Sequence, residues 1–235
     1  MRRKKVKLAG FYFASALALA AIPGAAGAVT LRKASCEGVS YSYLLEAPPG
    51  NRPKPAVLLL HGAGGHAHDL LIPWRSFAET HDLVLIAPEL TNKRAFEAIA
   101  PAVFRCVVED ARKVASVDPK RIFILGNSMG GYLAYDAAMF ESQYFAAVAV
   151  HAAAIDPDFE GILSKAARKI PIAIFIGNED PLVPIGGVRW TRDRLREAGF
   201  PVEYEEIAGH DHHYEQVADR LNREAWKFFE AHPLP

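Results

Sequence analysis

Short runs of apolar residues recur along the chain from Tyr41 onward, and each is too short to form a helix. Most of these runs lack the alternation of apolar and polar residues that marks a strand with one face in water, so they predict strands buried on both faces. The predicted strands lie at Tyr41–Leu45, Ala56–Leu60, Leu83–Ala87, Arg121–Leu125, Phe145–Val150, Ile172–Ile176 and Val202–Ile207. Helical periodicity predicts helices at Phe96–Val114, Gly131–Phe140, Val188–Ala198 and Tyr214–Glu230.

The strands and helices alternate, which predicts an α/β fold with a mainly parallel central sheet and helices on both faces. The turn residues Ala47–Gly50 follow the weakly alternating first strand and predict an N-terminal antiparallel hairpin with the next strand. The segment between Val150 and Ile172 is too short for a large helical lid. No repeat or linker interrupts residues 29–235, so we expect them to form a single domain.

The N-terminus follows a different pattern. Met1–Lys7 is strongly basic, Leu8–Ile22 is mainly apolar, and the small residues Gly24–Ala28 come next. This is the pattern of a signal peptide, so we expect cleavage near Ala28 and export of the remainder to the periplasm or the medium. The alternative is an uncleaved membrane anchor, but the apolar run is shorter than the roughly 20 residues that a spanning helix needs.

Removing this leader changes the charge of the protein. The whole chain has 27 basic and 27 acidic residues and a formal net charge of zero. Without residues 1–28, 27 − 5 = 22 basic residues face 27 acidic ones, a net charge of 22 − 27 = −5. We therefore expect no nucleic-acid partner, because nucleic acids recruit basic surfaces. After cleavage we expect no stable membrane insertion, and the sequence leaves the oligomeric state open.

The chain has two cysteines, Cys36 and Cys106. Export would bring them into a compartment where disulfides persist. Sequence does not place their Cα atoms, so a bridge and two separately buried thiols both stay open.

The strongest chemical signal is Gly126–Gly131, with the sequence Gly-Asn-Ser-Met-Gly-Gly, between a predicted strand and a predicted helix. In a sharp strand-to-helix turn, glycines flank the nucleophile because a Cβ there would collide with the neighbouring backbone. Such a turn raises the Ser128 hydroxyl above the sheet edge at a helix N-terminus, which favours developing negative charge. Ser128 is therefore the predicted nucleophile. The alternative is a glycine-rich turn with a capping serine.

A serine nucleophile needs a base, and the base needs an orienting acid. The candidates, each just past a predicted strand, are Glu179, Asp180, His210, His212 and His213. The carboxyl ends of parallel strands meet at one edge of a sheet, so these side chains are expected to lie near the serine.

The order serine, acid, histidine resembles the α/β-hydrolase family over nearly all of the chain after the leader. The resemblance implies the α/β-hydrolase fold, with Ser128 as nucleophile. It implies Asp180 as the acid, because Asp180 fills the acidic place in the family's Gly-x-x-Asp-x-x-Val-Pro-like loop. It implies His212 as the base in the family's Pro-Gly-x-Gly-His-like pattern. This chain has Asp211 in place of the usual second glycine, and His210 is the alternative base.

The segment His61–Gly65 follows another predicted strand and resembles the family's His-Gly-x loop. The resemblance implies an oxyanion hole made by the backbone N–H groups of Ala63 and Met129. His61 and His151 stand at strand ends and are candidates to line the acyl or alcohol pocket. For His151, a buried and hydrogen-bonded structural histidine is equally open.

The histidine-rich loops suggest a second hypothesis, a metal site, because imidazoles close in space commonly bind metals. Its ligands would come from His61, His66, His68, His210, His212 and His213. The first loop, however, lacks the further histidine directly after the aspartate that metallo-hydrolase loops of this type have. A zinc centre also leaves the serine turn unexplained. We therefore expect no metal and no cofactor.

Among secreted proteins, the resemblance is nearest to feruloyl esterases and poly(3-hydroxybutyrate) depolymerases, with the dienelactone hydrolases close by. Dienelactone hydrolases usually carry a cysteine nucleophile, where this chain has Ser128. The resemblance implies a carboxylic ester hydrolase that acts through an acyl-enzyme on small or polymeric esters: short acyl, aromatic acyl or polyester ends. The alternatives are a secreted serine peptidase with a prolyl oligopeptidase-like core and a catalytically silent binding protein of the same fold.

Overall fold

An eight-stranded sheet forms the centre of the computed structural model, which describes residues 27–90 and 99–235. Its strands are β1 (Thr30–Cys36), β2 (Val39–Glu46), β3 (Lys54–Leu60), β4 (Val84–Pro88), β5 (Val117–Asn127), β6 (Val148–His151), β7 (Ile172–Gly177) and β8 (Val202–Ile207). They are hydrogen-bonded in the order β1-β2-β4-β3-β5-β6-β7-β8. The pairs β1–β2 and β2–β4 are antiparallel and the others are parallel, which confirms the predicted mainly parallel sheet.

Helices cover both faces of the sheet, as predicted. They are α1 (Ala67–His81), α2 (Ala102–Arg112), α3 (Met129–Phe140), α4 (Ile185–Glu197) and α5 (Ala218–Ala231), with short 3₁₀ helices at Pro157–Lys165 and Tyr214–Gln216. Helices α1 and α5 pack on one face, and α2, α3 and α4 pack on the other. Helix α2 is the one predicted from Phe96, and residues 96–98 of that prediction lie outside the described residues.

Strand β3 shows why the apolar runs do not alternate. Ala56, Leu58 and Leu60 pack into the core on one face of the sheet, and Val57 and Leu59 pack into the core on the other. All five side chains are fully buried. A strand between two helical layers has no face in water, so these five successive positions are all apolar.

The predicted N-terminal antiparallel hairpin is present, but its strands differ from those expected. Strand β2 pairs with β1 on one side and with β4 on the other, not with β3. Glu37 and Gly38 form the tight turn, with φ of 52° and 83°. Two successive residues with positive φ give a two-residue turn whose twist matches that of the strands it connects. The proline-rich Ala47–Gly50 segment therefore connects β2 to a strand two places away.

A disulfide joins this hairpin to α2. Cys36 ends β1, Cys106 lies in α2, and their Cα atoms are 6.0 Å apart. Of the two arrangements that the sequence left open, the structure shows the bridge.

Helix α1 is an element that the apolar pattern does not predict. Pro73 lies inside it, where its ring removes an N–H group that a helix would use. The helix begins after His66, whose N–H donates to Asp69 Oδ2 at 2.7 Å, and ends before Asp82 in the left-handed conformation. Fully buried Trp74 anchors it to the core. Tertiary packing thus overrides the proline signal.

The carboxyl ends of the parallel strands meet at one edge of the sheet. Strands β4 and β5 lie on opposite sides of β3, so the winding direction reverses there and opens a crevice beside the end of β3. Between β6 and β7 the chain forms the 3₁₀ helix Pro157–Lys165 and no inserted helical lid, as predicted. The crevice is therefore not covered from that side.

Most of the predicted leader, residues 1–26, lies outside the described residues. Across residues 27–90 and 99–235, none of the helices combines the length and apolar character that crossing a membrane requires.

Candidate active site

Ser128 occupies the turn between β5 and α3, with φ of 54° and ψ of −119°. A non-glycine residue rarely adopts this conformation unless the surrounding structure imposes it. The flanking glycines make the turn feasible. A Cβ on Gly126 would lie 2.2 Å from the Gly130 carbonyl oxygen, and a Cβ on Gly130 would lie 1.9 Å from that of Leu60. The glycines therefore let the serine-bearing turn pack directly against β3.

Ser128, His212 and Asp180 form one hydrogen-bonded chain. The Ser128 hydroxyl lies 2.9 Å from His212 Nε2, and His212 Nδ1 lies 2.7 Å from Asp180 Oδ2. The Asp180 carboxylate is fully buried, and its other oxygen accepts the backbone N–H groups of Leu182 and Val183 at 2.8 and 2.9 Å. An acceptor-only carboxylate fixes the proton on Nδ1 and leaves Nε2 free to accept the serine proton.

The other candidate acids and bases have different partners. His210 directs its Nε2 to that of His151, at 3.1 Å, rather than to the serine. Glu179 is exposed. His213 is exposed and pairs with Asp211 at 2.9 Å. Of the residues predicted for these roles, the structure brings Asp180 and His212 into one hydrogen-bonded chain with Ser128.

The loop His61–Gly65 lies directly against the serine turn. A Cβ on Gly62 would lie 3.3 Å from Ser128 Cβ. Ala63 borders the same cleft as Ser128, and Met129 begins α3 immediately after the serine. The two backbone segments predicted to supply the oxyanion donors therefore flank the Ser128 hydroxyl.

Buried His61 holds the start of this loop. Its Nε2 accepts the Leu90 N–H at 2.9 Å, so the proton of the neutral ring is on Nδ1, which donates to the Gly62 carbonyl at 2.8 Å. Burial lowers the pKa of His61 below its ordinary value and keeps the ring neutral. The ring also borders the cleft beside the serine.

A cleft of about 460 Å³ opens beside Ser128. Its lining includes five residues that the sequence did not single out: Asp69, Leu70, Asn127, Tyr214 and Glu215. Asp69 and Leu70 belong to the unpredicted α1, whereas Asn127 stands inside the glycine motif and was identifiable as a neighbour of Ser128. The charged lining residues are the carboxylates Asp69 and Glu215. Within the described residues, no lysine or arginine borders this cleft.

His151 lies behind the serine turn and does not border the cleft. It is 0% exposed, its Nδ1 is 2.7 Å from Asn127 Oδ1, and its Nε2 meets His210. Burial, followed by the nearby His210, lowers the pKa of His151 to about 3. Of the two roles that the sequence left open for His151, the structure shows the buried, hydrogen-bonded one.

The metal-site hypothesis finds no support in the arrangement of the histidines. The His66 ring stacks on that of His68, and its Nδ1 is 3.3 Å from Glu89. Over the described ranges of the chain, no group of three or more His, Cys, Asp or Glu side chains is placed to hold a metal ion.

Comparison with known proteins identifies the family. The sequence model of the dienelactone hydrolase family matches residues 76–227, more than half of the chain. The chain belongs to the dienelactone hydrolase family. This dienelactone hydrolase family member is 28% identical over 184 residues to NocK of Nocardia uniformis subsp. tsuyamanensis, a protein that carries the name of an esterase. The match covers 71% of this chain and 53% of NocK, so the chain spans about half the length of that relative.

Solved structures similar to this dienelactone hydrolase family member share its architecture. A thermostable esterase superposes with a TM-score of 0.67 and 24% identity, over 87% of this chain and 63% of its own. The S-formylglutathione hydrolase FrmB from Staphylococcus aureus superposes with a TM-score of 0.74 and 16% identity, over 88% of this chain and 98% of its own. These likenesses show the α/β-hydrolase fold.

Proposed function

We propose that this protein is a serine hydrolase of carboxylic esters, with Ser128 as nucleophile, His212 as general base and Asp180 as the orienting acid. The observation that carries the proposal is the hydrogen-bonded chain from Asp180 through His212 to Ser128 at a strained strand-to-helix turn. Family membership and the esterase name of NocK support it.

In the first step, Ser128 Oγ attacks the ester carbonyl carbon while its proton passes to His212 Nε2. The carbonyl π electrons move to oxygen, and the N–H groups of Ala63 and Met129 stabilise the oxyanion by about 3 kcal/mol each. Asp180 stabilises the imidazolium. The intermediate then collapses, the bond to the alcohol oxygen breaks, and the alcohol leaves with the His212 proton.

In the second step, water hydrolyses the resulting acyl-enzyme by the same route. His212 takes a proton from the water, whose oxygen attacks the acyl carbon. The second tetrahedral intermediate expels Ser128 Oγ, which recovers its proton from His212. The products are the carboxylic acid and the free enzyme, and the two half-reactions balance without a cofactor.

The cleft favours small neutral substrates. Its volume of about 460 Å³, its mixed polar and apolar lining and the lack of an inserted lid after β6 suit short acyl groups, single aromatic acyl groups and the ends of polyesters. Asp69 and Glu215 border the cleft and repel a carboxylate group on the substrate. We therefore propose a preference for neutral esters over esters that carry a carboxylate.

We also propose that the protein acts outside the cytoplasm, in the periplasm or the medium. The leader-like pattern of residues 1–28 supports export, and so does the Cys36–Cys106 bridge, because disulfides persist in oxidising compartments. Sequencing the N-terminus of protein recovered from the periplasm or medium tests this. A start near Val29 is expected, and an intact Met1 would contradict it.

Hydrolysis of p-nitrophenyl esters tests the proposed reaction. We expect activity on the acetate that falls steeply with acyl length, little activity on a hemisuccinate ester or a peptide p-nitroanilide, and no effect of a chelator. Ser128→Ala should abolish turnover, whereas Ser164→Ala, at an exposed serine bonded to the Gly161 carbonyl, should not. Full activity of Ser128→Ala, or loss of activity with a chelator, would overturn the proposal.

A further inference from the structure

Two buried histidines lie behind the serine turn and take no part in the chemistry described above. His151 ends β6 and is 0% exposed, and His210 follows β8 and is 4% exposed. Their Nε2 atoms are 3.1 Å apart. Two imidazole nitrogens at this distance attract each other only when one carries a proton and the other does not. The pair therefore has a defined proton arrangement.

Asn127 sets that arrangement. Its Oδ1 is 2.7 Å from His151 Nδ1 and accepts the proton of that nitrogen. In the neutral ring, His151 Nε2 is then an acceptor, and His210 Nε2–H donates to it. Burial lowers the pKa of both rings, so the pair is neutral around pH 7. One continuous hydrogen-bonded chain thus runs from Asn127 through His151 to His210.

The main chain of the same residues is bonded to the proposed catalytic residues or their neighbours. The carbonyl of His151 accepts the N–H of Ser128 at 2.9 Å, and the carbonyl of His210 accepts the N–H of Glu179, the residue before Asp180, at 3.0 Å. His210 also stands two residues before His212. The end of β7 is shaped for this contact, since a Cβ on Gly177 would lie 2.1 Å from the His210 carbonyl oxygen.

We propose that Asn127, His151 and His210 form a positioning chain that holds the Ser128 turn and the His212 loop at reaction distance. The inference rests on the proposed function, because it concerns the same pair of side chains. His151 and His210 are positioning residues: neither borders the cleft that would hold the substrate. A displacement of about 1 Å between reacting groups can lower a rate around a hundredfold. Because Ser128 Oγ and His212 Nε2 are 2.9 Å apart, a chain that holds both segments in place affects turnover.

The test compares a variant that breaks the link with one that restores it. His210→Phe keeps the planar ring but removes the donor to His151, whereas His210→Gln places an amide N–H where the ring nitrogen was. The control is Thr191→Val, which removes an equally buried hydrogen bond, from the Ile155 N–H at 2.8 Å, between two residues that do not border the cleft. The measurements are kcat and KM on p-nitrophenyl acetate and the melting temperature.

We expect His210→Phe to lower kcat between about tenfold and a hundredfold while KM changes by less than about twofold, because the cleft itself is unchanged. His210→Gln should recover most of the loss, and Thr191→Val should lose stability without losing kcat. If His210→Phe keeps its kcat, or if the Phe and Gln variants lose kcat equally, the pair only fills space and the proposal is wrong.

A second variant covers the case in which His210→Phe does not fold. Asn127→Ala breaks the other end of the chain at a half-buried position, and it should also lower kcat. Because Asn127 borders the cleft, only kcat is compared in this variant, not KM. Unchanged kcat in that variant would also overturn the proposal. Failure of the proposed function gives a different result, since Ser128→Ala would then keep its activity whatever the histidine variants do.

Discussion

The carboxyl-end edge of the sheet and the N-terminal hairpin affect folding stability in opposite ways. At the carboxyl-end edge, Ser128 has a positive φ, the Asp180 carboxylate is buried and His151 is a buried neutral base. The positive φ of Ser128 costs folding free energy, and so does taking the Asp180 carboxylate and the His151 ring out of water, a cost that their hydrogen bonds offset in part. At the hairpin, the Cys36–Cys106 bridge clamps β1 to α2.

Polar contacts at the hairpin add to that clamp. The Tyr43 hydroxyl donates to Asp110 Oδ2 at 2.8 Å and accepts from Arg32 Nε at 3.0 Å. Burial, followed by the bond to Asp110, raises the pKa of Tyr43 to about 12, so the phenol stays protonated and can donate. Substitutions at the two regions should therefore separate activity from stability.

The largest effect is expected from Asp180→Asn. An asparagine amide can present an N–H to His212 Nδ1 and so favour the wrong tautomer, which should lower kcat by about 10⁴-fold. Stability should change little, because the shape of the side chain is kept. Esterase assays and thermal unfolding check both parts. Glu179→Gln, at the exposed neighbouring carboxylate, is the matched control and should retain activity; equal losses in the two variants would contradict the comparison.

The opposite behaviour is expected when the disulfide is removed. The bridge joins residues 70 positions apart, and opening a loop of that length costs about 4 kcal/mol of unfolding free energy. The double variant Cys36→Ala, Cys106→Ala should therefore unfold at much lower urea concentration while its kcat at 25 °C stays near that of the parent. A large loss of kcat in the folded variant would show that the hairpin and the carboxyl-end edge are coupled.

Gly130→Ala should affect both properties. The new Cβ would lie 1.9 Å from the Leu60 carbonyl oxygen, so the serine turn must move away from β3. We expect a loss of up to about 3 kcal/mol in unfolding free energy together with reduced turnover. Gly186→Ala, in α4 where a Cβ meets only open space, is the control and should be neutral or slightly stabilising. Similar results for both variants would refute the steric argument.

The smallest effect is a pH dependence of stability that arises at the carboxyl-end edge. The folded-state pKa of His151, about 3, lies below its unfolded value near 6.5, so the unfolded state binds more protons as pH falls below 6.5. The contribution of His151 to stability is present above that pH and is lost as the pH falls towards 3. Between pH 7 and pH 5, the titration of His151 alone should lower the free energy of unfolding by about 2 kcal/mol.

Other titrating groups modify this loss. The rings facing His151 are His210, His212 and Tyr214, and the facing carboxylates are Asp180 and Asp211. Burial lowers the pKa of His61 and His210, which adds to the loss, whereas Asp211 raises the pKa of exposed His213, which opposes it. Urea unfolding at both pH values measures the sum. A stability that rises from pH 7 to pH 5 would contradict the assignment of a buried neutral His151.

The sequence was sufficient where chemistry and backbone geometry coincide. Ser128 was predicted because Gly126–Gly131 follows a buried strand and fits one kind of turn. Position after β7 offered both Glu179 and Asp180, and the family resemblance selected Asp180. Position after β8 likewise could not separate His212 from His210. The path of the loop decides between them: Gly209 has a φ of 68°, and its N–H donates to Asn178 Oδ1 at 2.7 Å.

Where tertiary packing decides, the sequence pattern was insufficient. Helix α1 forms in spite of Pro73 because Trp74 and its neighbours bury their side chains against the sheet. The predicted partner strand of β2 was wrong, because strand order depends on contacts between distant segments, whereas the proline-rich turn is a local signal. Asp69 and Glu215 in the cleft were missed for the same reason.

Covalent labelling tests the central claim, that Asp180 and His212 activate Ser128, most directly. A fluorophosphonate forms a stable phosphonyl ester only with an activated serine, and peptide mapping by mass spectrometry locates it. We expect one adduct, on Ser128, whose rate of formation falls by orders of magnitude in His212→Asn and Asp180→Asn. An adduct on another residue, or labelling of Ser128 at the same rate in all three proteins, would contradict it.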